Sequence, residues 1–159
     1  MGERVKHWLY AGIVVVLLST IYIIYHVGVA PYKDNQAQAI KIAKQHADLK
    51  TPQTFYLYNR NGQNWTVGGL DKKNHKIFVI INSNNKNIVI LDQSAGISQQ
   101  KAVNKVIARY DPKQIHNVAL GLYHKKPVWE VTFQNKNHTI GYETIDFKTG
   151  HVVQNINNL

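Results

Sequence analysis

A chain of 159 residues with 44% hydrophobic content has room for one ordinary domain or two small ones plus an anchor, and too little for a large multidomain enzyme. Lys and Arg number 19 against 9 Asp and Glu, a formal charge of +10, so anionic neighbours are expected, although charge alone does not say which. Cysteine is absent, which excludes thiolate nucleophiles, CxxC redox motifs, thiolate metal sites and disulfides.

The first element is apolar. Trp8 to Val27 reads WLYAGIVVVLLSTIYIIYHV, with no formally charged residue apart from a protonated His26. As a helix it matches a bilayer core of roughly 30 Å. Arg4 and Lys6 precede it, so the positive-inside rule keeps residues 1–7 as a cytoplasmic tail, makes residues 8–29 a transmembrane anchor and sends the rest out of the cytoplasm. Trp8 and Tyr10 at the inner end, with Tyr22, Tyr25 and Tyr32 towards the outer end, suit aromatic belts. A cleaved signal peptide is the rival reading, since Gly28, Val29 and Ala30 are small. The apolar run is long for a signal, however, and Pro31 would follow the cut.

Beyond the anchor one unit is written twice. AIKIAKQHADL (Ala39 to Leu49) aligns with AVNKVIARYDP (Ala102 to Pro112), Trp65 with Trp129, and Lys73-Asn74-His75 with Lys136-Asn137-His138. Each copy opens with a helix. The first is capped by Asp34 or Asn35 and carries Ala39, Ile42, Ala43, His46 and Leu49 on one face. The second is capped by Ser98, carries Ala102, Val103, Val106, Ile107 and Tyr110, and ends at Pro112. Four strands follow each helix, over 53–60, 64–69, 75–82 and 87–92, then 114–123, 127–134, 138–147 and 151–156. The expected class is α+β: two tandem domains, 33–93 and 97–159, each a helix on an antiparallel four-stranded sheet, joined at Gln93-Ser94-Ala95-Gly96 with a cleft or shared edge between them. Tyr56 and Tyr58 share one side of a strand whose other side holds Phe55 and Leu57. That strand is therefore either covered twice, by the neighbouring copy, or part of a contact surface.

In the second copy Trp129, Val131 and Phe133 form the apolar face of a strand turned to the helix, and Ile140 and Tyr142 share a face of the next strand. Asp146-Phe147-Lys148-Thr149-Gly150 then reverses the chain. Asp accepts hydrogen bonds from amides that follow it, and Gly tolerates the positive φ that ends such a turn, so the run reads as a hairpin device rather than as chemistry. Trp129 with Tyr142, Asp146, Thr149 and Gly150 resembles the closing hairpins of a PepSY domain. With one amino-terminal span and two copies of this size, nearly the whole chain resembles the YpmB/TseB family of membrane-anchored cell-wall elongation regulators of Gram-positive bacteria. The first copy departs from the pattern, its corresponding turn reading Ser83-Asn84-Asn85-Lys86-Asn87. The resemblance implies a cystatin-like fold for each copy and a non-catalytic role on the outer face of the cell membrane, binding a class B penicillin-binding protein.

Chemistry that would overturn a non-enzymatic reading is sparse. Of eight histidines, His75 and His138 recur in both copies, in turns and without a partner at metal-ligand spacing, so no metal site is expected. No serine sits in GxSxG or SxxK, Gly68-Gly69 is too short for a phosphate loop, and no cofactor motif occurs. Glu130 and Glu143 face each other across a hairpin in one register and not in the next, which leaves an exported hydrolase as a third reading. Lys72, Lys73, Lys76, Lys125, Lys126 and Lys136 cluster around turns. They keep open a second reading, a sensor or binder of anionic wall polymer, whereas nucleic acid is no expected partner outside the cell.

Overall fold

The computed structural model describes residues 2–60, 62–83 and 87–159, and only the backbone of Glu3 and Val5. The expected first-copy turn at Asn84, Asn85 and Lys86 lies outside the described residues.

Residues Met1–Gln38 and Ala39–Leu159 form two units. The first is helical. Helix α1 (Glu3–Ile24) runs into a π-helical turn at Tyr25–Val29 and then into α2 (Ala30–His46). Its apolar side chains are exposed on every side, and by length and composition it can cross a bilayer. The expected caps at Asp34 and Asn35 do not form, because α2 begins at Ala30. The helix continues through Pro31 because a π-helical turn precedes it: the Ala30 amide donates to the Tyr25 carbonyl, and this wider turn takes up the backbone disruption a proline brings to a helix interior.

The second unit contains the end of α2, helix α3 (Gln99–Tyr110) and two antiparallel sheets of identical order: β1 (Leu49–Tyr58), β2 (Asn64–Asp71), β3 (Lys76–Asn82) and β4 (Ile88–Asp92), then β5 (Gln114–Tyr123), β6 (Lys126–Gln134), β7 (Ile140–Asp146) and β8 (Val152–Ile156). The architecture is α+β, as expected from the duplicated helix-and-meander pattern. Strand β1 starts four residues earlier than expected, despite Pro52. It tolerates the proline because it is an edge strand whose register breaks between Leu49 and Thr51 and again between Pro52 and Thr54.

Strand β3 explains why the unit holds together. Its run Ile77-Phe78-Val79-Ile80-Ile81 is apolar without alternation, the mark of a strand covered on both faces. Ile77, Val79 and Ile81 pack with Ala39, Ala43 and Ala47 of the α2 end, together with Leu49, Trp65 and Val67. Phe78 and Ile80 point the other way, into a core shared with Ala102 and Val106 of α3 and with Leu120, Trp129, Val131, Phe133, Ile145 and Phe147 of the second copy. Helix α3 is capped as expected, the Ser98 hydroxyl accepting from the Lys101 amide at 3.2 Å. Of the face expected for the first helix, Ala39, Ala43 and Leu49 are buried and Ile42 packs against them, whereas His46 is exposed and Ala47, just past the helix end, is buried instead.

Candidate functional site

The second-copy hairpin is tied by its aspartate. The Asp146 carboxylate accepts from the Thr149 amide at 2.7 Å and from the Thr149 hydroxyl at 2.8 Å, while the Asp146 carbonyl accepts from the Gly150 amide at 2.9 Å. Gly150 has φ +72°, a left-handed conformation that suits glycine. Burial alone would raise the Asp146 pKa, but the hydrogen bonds from Thr149 outweigh it and hold the carboxyl below its ordinary range. The turn aims Phe147 into the shared core, edge-on to Phe78 at 6.1 Å between ring centroids. The Phe147 carbonyl accepts from the Ile97 amide at 2.7 Å, and the Ile97 carbonyl accepts from Trp129 Nε1 at 2.9 Å. The chain between the copies is thus held by Phe147 on one side and Trp129 on the other. Tyr142 lies on the opposite face of the sheet from Trp129, with the Arg60 guanidinium 5.2 Å from its ring centroid.

Between the copies, strand β5 stands with its edge against the first sheet. Tyr56 meets Trp129 edge-on at 5.4 Å, on one side of β5. Tyr58 packs with Ala119 and Val128 on the other. Thr66 closes the gap, its hydroxyl donating to the Leu120 carbonyl at 2.6 Å. A Cβ on Gly121 would lie 2.4 Å from the Tyr58 ring, so the close approach requires glycine there. Of the two readings for these tyrosines, interdomain packing is the one the contacts show.

Two carboxylates of the second sheet, one of them at this interface, do not meet. Glu130 is opposite Thr144 and Glu143 is opposite Val131, so the two lie on opposite faces of the sheet and cannot share a glycosidic bond. Glu130 faces the first copy. Arg60 Nε approaches its Oε2 at 2.7 Å, though without the alignment of a hydrogen bond. Arg60 also donates to the Gln154 side chain at 3.0 Å. Burial raises the Glu130 pKa and the nearby guanidinium only partly offsets it. Glu143 lies beneath the end of α3, 1% exposed, accepting from the Tyr110 hydroxyl and from Asn155 at 3.2 Å, with Arg109 at 3.6 Å. Burial, and then the bond to Glu143, push the Tyr110 hydroxyl up to about 12. Sequence reasoning singled out both glutamates and placed Tyr110 on its helix, but missed Arg60 and Asn155 and the pairing of Tyr110 with Glu143, since nothing local in a meander says which residues of distant elements will meet.

The repeat persists in detail. Asp48 and Asp111, each just past its helix, have left-handed φ values of 51° and 45°. Each takes an ion pair from a hairpin lysine, Lys72 at 2.5 Å and Lys136 respectively. The hairpin turns put Asn74 (φ 65°) and His138 (φ 69°) in the same conformation. His138 therefore corresponds to Asn74, and the sequence alignment of His75 with His138 is off by one. His75 is exposed beside Asp71, Nδ1 to Oδ2 3.1 Å. No group of three metal-ligating side chains gathers among the described residues.

Comparisons with known proteins follow this layout. Residues 38–82 match the cell wall elongation regulator TseB-like domain. Residues 96–153 match PepSY, the peptidase propeptide and YPEB domain. A curated relative, "Probable cell wall elongation regulator TseB" of Bacillus subtilis (strain 168), is 25% identical over 134 residues, 84% of this chain and 83% of that protein. The solved structure of the YpmB protein from Bacillus subtilis matches with a TM-score of 0.68 at 25% identity, over 76% of this chain and 95% of that one. A TseB-like module followed by a PepSY module, on the fold of YpmB and behind an apolar amino-terminal helix, makes this chain a YpmB/TseB-like PepSY protein.

Proposed function

We propose that the chain is a non-catalytic, membrane-anchored regulator of cell-wall elongation. Residues 8–29 would span the membrane, and the two modules, 33–93 and 97–159, would stand outside it and bind a class B penicillin-binding protein. The observation that carries this reading is the likeness, over 84% of the chain, to a protein named as a cell wall elongation regulator, together with the TseB-like and PepSY matches along this chain. The geometry agrees with a binding role. Glu130 and Glu143, the carboxylates best placed for chemistry, are each engaged by structural partners, and the chain carries a net charge of +10. An anchor that confines regulator and partner to one membrane raises their effective concentration, so a weak interface suffices.

The test is crosslinking in intact membranes followed by purification of the tagged full chain. Enrichment of a penicillin-binding transpeptidase over an unrelated anchored protein is the expected result, and its absence overturns the reading. Exposed Lys72, Lys73, Lys125 and Lys136 favour a second reading, a binder of phosphate-rich wall polymer. Binding to isolated wall polymer that disappears at modest salt and needs no protein partner would select it.

A further inference from the structure

The four edge strands of the two sheets are not protected equally. Strand β1 carries two register breaks and Pro52, β5 is straddled by Tyr56 and Tyr58 and breaks register between Ile115 and Asn117, and β8 is broken opposite Thr144 and Ile145. Such bulges, prolines and covers are what keep an edge from pairing with another chain. Strand β4 has none of them. Among the described residues it pairs with β3 from Ile88 to Asp92 in unbroken register, contains neither Pro nor Lys, and has a strand on one side only. Ile90 at its centre is 50% exposed. Beside it opens a cleft of about 460 Å³ with Ala47, Ile77 and Ile90 as an apolar floor and His46, Asp48, Asp71, Lys72, Lys73 and His75 on the rim. The rim acids are already engaged: Asp48 by Lys72, and Asp71 by His75 and the Lys73 amide. Lys73 has no acidic partner among the described residues.

We propose that the free edge of β4, with the cleft and the unpaired Lys73 beside it, takes up an extended acidic peptide segment of a partner protein as a fifth strand of the first sheet. An added strand supplies main-chain hydrogen bonds along the edge. Every second side chain of the incoming segment then falls over the Ala47–Ile77–Ile90 floor, and a carboxylate near the rim meets Lys73. With Lys72 already paired to Asp48, the ammonium of Lys73 is the charge left for an incoming segment, and together with the overall charge of +10 it favours an acidic segment over a basic one. The proposal rests on the partner-binding reading above and names its surface.

The probe is a fluorescent peptide of alternating glutamate and valine, titrated against the full chain in detergent micelles. Its controls are a lysine–valine counterpart and a version N-methylated at alternate amides. Binding of the acidic peptide alone is expected, lost on N-methylation, and weakened about tenfold or more by Ile90→Lys and by Lys73→Glu. Val153→Lys on the β8 edge should leave it unchanged. Ile90 and Lys73 are on the surface, and an unaltered circular dichroism spectrum confirms folding. Equal binding of both charge types, binding that survives N-methylation, or no binding overturns the proposal. So does a dimer of the chain that Ile90→Lys dissociates, which would give the edge to a second copy. If the transpeptidase co-purifies equally with Ile90→Lys, this surface is wrong and the partner reading stands. If it co-purifies with neither chain, the partner reading fails whatever the peptide shows.

Discussion

Asp146 does its work as an ion. Its carboxylate gathers the Thr149 amide and hydroxyl, and the tied turn presents Phe147 to Ile97, so one side chain fixes both a hairpin and the path of the chain between the copies. Asp146→Asn keeps the shape and weakens the acceptor, and should lower stability at neutral pH by about 1–2 kcal/mol. The sign with pH follows from the depressed pKa. A carboxyl that titrates lower when folded contributes stability that is present above its unfolded value and is lost as pH falls through the folded one. The difference in melting temperature between the native chain and Asp146→Asn should therefore be largest near neutrality and close as pH drops below the ordinary aspartate range. A difference that is flat with pH would mean that the charge on Asp146 is irrelevant to the turn.

Among the elements, β2 shows how a strand can be shaped by its neighbour. Gly68 and Gly69 invite comparison with a phosphate-binding loop, yet they lie within β2, opposite the bulged part of β1. A Cβ on Gly69 would sit 2.1 Å from the Thr51 carbonyl oxygen, and one on Gly68 would sit 2.3 Å from Thr54 Oγ1. Backbone cannot yield as a flexible side chain can, so Gly69→Ala should destabilise by about 2–4 kcal/mol, read as a drop in the urea midpoint. Gly28→Ala, with open space around it, should change the midpoint little.

The same scale shows how much the sequence makes legible. Elements announced by a local rule are found where the rule puts them: the Ser98 cap, the alternating Trp129-Val131-Phe133 strand and the Asp146 turn. Elements shaped by a neighbour are displaced. Helix α2 begins early because α1 feeds straight into it, and β1 extends through Pro52 because a bulged edge can spare the N–H. The contact that joins the copies, Arg60 with Glu130, and the one that seats α3 on its own sheet, Tyr110 with Glu143, lie 70 and 33 positions apart by number and leave no periodic trace.

At the scale of the whole molecule, the buried pair between the copies behaves asymmetrically. The Glu130 pKa is raised by burial despite Arg60, which means that desolvation outweighs the attraction. Removing one partner is then far worse than removing the charge of the other. Arg60→Ala strands a carboxylate and should cost about 3 kcal/mol at neutral pH, whereas Glu130→Gln should be near neutral. Because the raised pKa favours the protonated form, the defect of Arg60→Ala should shrink as pH falls through the Glu130 titration and Glu130 loses its charge. Thermal melts from neutral to mildly acidic pH would show it, and a defect that grows on acidification would contradict this account.

Strand β3 is a party wall. Its Phe78 and Ile80, with Tyr56, Val89 and Leu91 beside them, are roofed by Ile97, α3 and the second sheet, so a nascent chain that has finished its first module still shows a bare greasy flank until the rest arrives. A chain stopped after Gly96 should therefore clump in solution, even though every hydrogen bond of its own sheet can form.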